Sequence, residues 1–200
     1  MKSAQKLIFF LSIIVAGLLS FQLYKSQQDK APEDVKAAYL PGGDIELERN
    51  GQMFSTKQLR GKPYVLYFGF TSCPDVCPLG LTVVRDALKS DPALKDIPAV
   101  FVSLDPERDT AEVLDGYLAF FHKNLIGLRG DLIATHEVAK RYGTYFIKAP
   151  LASGSSDDPS QYTVDHTAYY FVVGPDGKLK RVLEHNAKSE DLAAALIALL

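Results

Sequence analysis

Two long apolar runs stand out along the chain, residues 7–23 and residues 64–70, and they call for different structures. The second, Tyr-Val-Leu-Tyr-Phe-Gly-Phe, follows Gly61-Lys62-Pro63 and is near-continuously apolar and aromatic. A run of that length and composition predicts a strand buried on both faces, at the centre of a sheet. Residues 99–104 predict a second strand, 126–128 a shorter one and 145–147 a short extended piece. Between them the period lengthens: Leu81, Val84 and Leu88 mark a helix over 79–88, and further helices are predicted over 110–121 and 132–142. Asn50-Gly51 joins the alternating segments 45–48 and 53–55 into a small peripheral hairpin. Residues 168–173 and 179–183, joined by Pro175-Asp176-Gly177, form a terminal hairpin, and Ser189 caps a last helix running to residue 200. Residues 149–161, with two prolines, a glycine, four serines and two aspartates, read as an irregular flexible loop leading into Val164-Asp165-His166-Thr167.

Strand, helix, strand, helix, then hairpin and helix is the order of an α/β, thioredoxin-like fold: a mixed sheet with helices on both faces. The domain is expected over residues 44–200. Residues 25–43, polar and containing Pro32, Pro41 and Gly42-Gly43, read as a linker. The first apolar run, interrupted only by Ser12, Ser20 and Gln22, makes residues 1–24 an N-terminal membrane anchor. Seventeen helical residues cover about 25 Å, a little less than the hydrocarbon core of about 30 Å, and Tyr24 with the flanking Lys2, Lys6 and Lys25 can make up the difference. A cleaved signal peptide fits the same run, but no clean small-x-small site follows it. Either way the domain belongs on the exported side of a membrane, the periplasm or an equivalent such as the mitochondrial intermembrane space.

Composition narrows the class further. Of 200 residues, 47% are hydrophobic and 23% charged, a globular balance. Setting aside Lys2 and Lys6 leaves 20 basic against 24 acidic side chains, a net charge of about −4 for the rest of the chain, which gives nucleic acid no basic face to bind.

Only two cysteines are present, Cys73 and Cys77, at the junction between the central strand and the following helix. A disulfide between them would close a five-residue ring and restrict the unfolded chain little, so the pair reads as reactive or metal-binding. Residues i and i+4 of a helix lie about 6 Å apart, which suits convergence on one ion and equally suits a disulfide. A helix N-terminus favours both thiolates for either chemistry. Soft thiolates select copper(I) or zinc, and an imidazole adds a third ligand that copper accepts in either oxidation state. His122 and His136 fall in or beside helices and His185 after the terminal strand, whereas His166 falls where this fold brings a loop beside the cysteines.

Three segments, Thr71-Ser72-Cys73-Pro74-Asp75-Val76-Cys77-Pro78, Asp105-Pro106-Glu107-Arg108-Asp109-Thr110 and Tyr162-Thr163-Val164-Asp165-His166-Thr167, resemble in order the signature segments of the SCO/SenC family. The resemblance implies a copper chaperone that assists assembly of the binuclear copper centre of cytochrome c oxidase. It implies Cys73, Cys77 and His166 as copper ligands, with His166 carried by a mobile loop. The partners it implies are oxidase subunit II and an upstream copper donor. Asp109 with Glu112 fits a helix cap, Asp105-Pro106 a strand end, and Asp165 either the orientation of His166, a partner contact or a turn. Binding and delivery without turnover is favoured over an enzyme. The alternative is a thiol-disulfide reductase acting on the cysteines of the oxidase copper subunit, with Cys73 and Cys77 as its redox pair. Against a general oxidoreductase stand the CxxxC spacing and the absence of a proline at residues 164–167, where reductases of this fold carry one. A peroxidase reading lacks an isolated cysteine with an arginine partner.

Overall fold

In the computed structural model the described residues are 18–20, 40–150 and 162–200. The chain divides into two compact units, residues 1–33 and 34–200, and the folded domain lies in the second. The anchor expected over residues 1–24 lies outside the described residues except at 18–20, as does most of the loop expected over 149–161. Among the described residues no helix is long and apolar enough to cross a membrane.

The core is a five-stranded mixed sheet. β3 (Tyr64–Gly69) is central, pairing in parallel with β4 (Ala99–Ser103) and antiparallel with β8 (Tyr169–Val173). β5 (Leu125–Leu128) extends the parallel side and β9 (Leu179–Glu184) the antiparallel side. All residues of β3 and β4 are buried, as their continuous apolar runs require of strands covered on both faces. Alternation along β3 sends Leu66 and Phe68 to one side and Val65 and Tyr67 to the other. The first side packs on Val138 and Tyr142, at and just beyond the end of α3 (Leu132–Arg141), and on Ile45 and Leu47. The second packs on α1 (Val76–Ser90), α2 (Ala111–Ala119) and α4 (Ser189–Ile197). The architecture is thioredoxin-like.

Two small antiparallel ribbons stand outside this sheet. β1 (Glu46–Arg49) and β2 (Gln52–Ser55) form the expected hairpin, with Asn50 and Gly51 both at positive φ, as its tight turn demands. β6 (Phe146–Pro150) pairs with β7 (Tyr162–His166). The sequence predicted only a short extended piece at 145–147 and a loop around His166; both segments are strands. Tyr-Thr-Val-Asp-His is too short and too polar to show alternation clearly, and its pairing with β6 is what fixes it as extended.

Helix starts also differ from expectation. Thr110 caps α2 by accepting from the Val113 N–H, where Asp109 was expected. Lys188 precedes α4, its N–H bonded to Asp191, so that Ser189 is the first helical residue. The end of the expected linker is tied to the domain: the Gly42 N–H donates to the Arg141 carbonyl, and the Tyr142 hydroxyl donates to the Gly43 carbonyl.

Candidate metal centre

The centre lies where β3 ends. After the buried Phe70 the chain turns through residues 71–75 into α1, with the Cys73 N–H donating to the Phe70 carbonyl. Cys73 lies in this turn, half-buried, and Cys77 is the second residue of the helix, fully buried. The cysteines are therefore not two positions on one helix face, as their spacing suggested. Cys73 lies over the helix start, where its sulfur accepts from the Cys77 N–H at 3.4 Å. Gly69 leaves room for the second sulfur, since a Cβ there would stand 2.8 Å from Cys77 Sγ and 3.0 Å from the Phe101 ring.

His166 arrives from the other side, at the end of β7. Its Nδ1 lies 3.1 Å from the Thr167 carbonyl oxygen. A carbonyl can only accept, so Nδ1 carries a proton and the ring turns Nε2 towards the cysteines. Nε2 is 3.7 Å from Cys77 Sγ. Metal–sulfur and metal–nitrogen bonds of about 2.3 and 2.0 Å meeting near 120° separate their donor atoms by about 3.7 Å. The Phe70 ring meets the imidazole edge-on, 6.0 Å between centroids, and limits its tilt. Among the described residues no group of three or more His, Cys, Asp or Glu side chains is placed so that it could hold a metal ion. Cys77 Sγ and His166 Nε2 thus stand in contact, with the Cys73 sulfur on the Cys77 N–H, and sulfur and imidazole donors are types that suit a soft ion.

The two thiols differ in acidity. Cys73 is lowered to about 4, chiefly by the hydrogen bond from the Cys77 thiol, and further by His166 and the Asp75 and Cys77 N–H groups, with burial opposing. Cys77 is pushed well above the ordinary thiol range by that same bond, by burial and by the charge on Cys73. The sequence led us to expect two thiolates favoured by the helix start. Instead the pair holds one proton, kept on Cys77, because the buried sulfur cannot ionise beside a charged neighbour.

Asp105 and Asp109 are both fully buried. Asp109 accepts from the Thr71 N–H at 3.2 Å, from the Thr71 hydroxyl at 2.6 Å and from the Ser103 hydroxyl at 2.6 Å. Burial raises its carboxyl, and these bonds oppose the shift. It thus fixes the backbone two residues before Cys73. Asp105 is paired with the Arg108 guanidinium and accepts from the Tyr162 hydroxyl at 2.7 Å. Asp165 is exposed, and alternation along β7 puts it on the opposite face from His166, so the carbonyl of Thr167 orients the imidazole instead. His122 Nδ1 accepts from the Asn124 N–H, and His136 bonds the Leu132 carbonyl and packs on Phe146, while His185 is exposed beyond β9.

The SCO1/SenC family model matches residues 36–200. The human protein named SCO1 homolog, mitochondrial, is 35% identical over 161 residues, covering 78% of this chain and 52% of its own length. The chain spans about half to three-quarters of the length of the curated relatives it matches. Among solved structures, Bradyrhizobium japonicum ScoI with copper bound superposes with a TM-score of 0.68 at 35% identity, over 80% of this chain and 99% of that one. The apo Sco1 solution structure from Thermus thermophilus gives a TM-score of 0.70 at 36% identity, over 80% and 92%.

Proposed function

The chain belongs to the SCO1/SenC family, and we propose that it is a copper metallochaperone whose cargo is held by Cys73, Cys77 and His166. The observation that carries this reading is the approach of His166 Nε2 to within 3.7 Å of Cys77 Sγ, beside the Cys73 thiolate. A copper-bound relative at 35% identity supports the choice of metal. Two thiolates hold copper(I), and the imidazole completes a set that also accepts copper(II). Loading requires Cys77 to give up its proton, while Cys73 is ready without that step.

The recipient we propose is subunit II of cytochrome c oxidase, whose binuclear copper centre the protein would help assemble, with an upstream donor supplying the ion. His166 is well suited to leave first. It stands on the β6–β7 ribbon, which shares no strand pairing with the five-stranded sheet, whereas Cys77 is built into α1. Transfer then proceeds by ligand exchange with the recipient's thiolates, without release of free ion. The apolar run at 7–23 supports a tether holding the domain on the exported side.

The unequal thiols favour a second reading, a thiol-disulfide reductase of the recipient's cysteines. The Cys73 thiolate would attack the recipient's disulfide, releasing one recipient thiolate. Cys77 would then lose its proton and attack the Cys73 sulfur, releasing the second thiolate and leaving a Cys73–Cys77 disulfide. One experiment separates the two. Copper-loaded protein is mixed with an apo copper domain of subunit II, in one arm pre-reduced and in the other oxidised, and metal and thiols are counted on both proteins. The chaperone reading expects copper to move with the thiol count conserved; its failure to move, with thiols appearing on an initially oxidised recipient, selects the reductase.

A further inference from the structure

The β6–β7 ribbon carries His166 without strand pairing to the main sheet, so its placement depends on side chains. At the His166 end, Val164 and Phe146 are buried in the core. At the other end the fastening is polar and lies on one short loop, residues 105–109. Arg108 Nη1 donates to the Tyr162 carbonyl at 2.9 Å, and its guanidinium lies 3.8 Å from the centre of the Tyr162 ring. The Tyr162 hydroxyl donates to Asp105, which also takes the Arg108 Nε–H. Lys148 on β6 lies against the same ring, 4.6 Å from its centre, and pairs with Glu107 at 2.6 Å. Every one of these contacts crosses from the loop to the ribbon or lies within one of them.

The same loop reaches the cysteines. Asp109 holds Thr71, and the Arg108 guanidinium also faces the Phe70 ring at 6.0 Å, the ring whose edge meets His166. Residues 105–109 therefore fasten both halves of the centre, the cysteine turn through Asp109 and the histidine ribbon through Asp105 and Arg108. β7 pairs with β6 along its whole length, from Tyr162 opposite Pro150 to His166 opposite Phe146, so the ladder links the latched end of the ribbon to the imidazole end.

We propose that Arg108 is a positioning residue for His166, latching the ribbon through Tyr162 and bracing Phe70, so that the imidazole stands ready beside Cys77. It touches no metal. The latch sets how much of the time the third donor is in place, and with it the balance between a three-donor and a two-thiolate site. This rests on the reading of His166 as a ligand only where copper is concerned; the latch itself concerns the metal-free protein.

The test uses the full chain with Arg108→Gln and Tyr162→Phe, the second removing only the hydroxyl bond to Asp105. In the metal-free protein, modification of each histidine by diethyl pyrocarbonate is followed by mass spectrometry. His166 is expected to react several-fold faster in Arg108→Gln and about twofold faster in Tyr162→Phe, with His122, His136 and His185 unchanged. With copper(II), the thiolate-to-copper absorption band and the electron paramagnetic resonance spectrum of Arg108→Gln are expected to shift towards those of His166→Ala, while copper(I) stoichiometry stays at the wild-type value. Unchanged His166 reactivity in a folded variant overturns the proposal, as does equal acceleration at all four histidines, which marks general loosening. Should Arg108→Gln fail to fold, Tyr162→Phe decides alone. A wild-type protein that binds no copper removes the proposed function and leaves the histidine reactivities to judge the latch.

Discussion

Cys73 and Cys77 are the same residue type four positions apart, yet they hold their protons very differently. Cys73 is half-buried, takes a hydrogen bond from the Cys77 thiol and stands over a helix start; Cys77 is sealed in the core beside that charge. Because only the thiolate is nucleophilic, a lowered pKa moves reactivity to lower pH. Alkylation of Cys73 by iodoacetamide is expected to reach half its maximal rate near pH 4 and stay flat to pH 8, with Cys77 unlabelled in the folded protein. Mapping labelled peptides across that range checks it, and a rate still climbing between pH 7 and 9 would contradict the split. Gly69 is as exacting as either sulfur. A methyl there would meet Cys77 Sγ at 2.8 Å and the Phe101 ring at 3.0 Å, with both neighbours in a packed core. Gly69→Ala is expected to cost about 1–3 kcal/mol, the usual range for overpacking, and to lower the melting temperature by several degrees. Copper titration of the variant should also weaken, since the displaced atom is a proposed ligand.

At the scale of elements, legibility tracked how local the cause was. The β1–β2 hairpin could be read from Asn50-Gly51 and its alternating flanks, and β3 from its unbroken apolar run, because each is fixed by a few adjacent residues. β7 could not, because Tyr162 to His166 becomes a strand by pairing with β6, whose partner residues lie across the 151–161 segment. The roles of Asp105 and Asp109 were hidden for a related reason. Both stand where a strand gives way to a helix, and local rules offer a strand end or a cap for acids there; only the tertiary structure reveals Thr71, Ser103, Arg108 and Tyr162 as their partners. The available signal was two acids four apart beside an arginine in a chain segment bounded by apolar runs. Asp109→Ala would leave the part-buried Thr71 N–H and hydroxyl and the buried Ser103 hydroxyl without their acceptor, at about 3 kcal/mol for donors left unpaired. Asp109→Asn keeps an acceptor and is expected to cost about half as much. Urea denaturation of the three proteins measures both, and an alanine variant as stable as the wild type would remove Asp109 as the anchor of the cysteine turn.

For the whole molecule, burial on both sheet faces and the order of elements were enough to indicate the architecture, since α/β alternation with a central apolar strand admits few right-handed arrangements. The centre needed more, because it joins a turn at residue 73, a helix at 77 and a ribbon at 166, and nothing in their spacing sets a distance. Whether the domain is tethered, as we propose, turns on residues 7–23. As a helix those seventeen residues would cover about 25 Å, short of a core of about 30 Å, so the proposed tether would cross with little tilt and draw Lys6 and Lys25 towards the interface. A signal peptide of the same composition would be removed on export and leave the domain free. The two differ in mass and in solubility. After expression with export, the intact chain is expected to keep its N-terminus and to stay with membranes in alkaline carbonate, which strips proteins held only by charge. A mature chain beginning beyond residue 24 and recovered in the supernatant would show instead that the run is a leader, leaving a freely diffusing carrier whose meeting with a membrane-bound recipient depends on its own concentration.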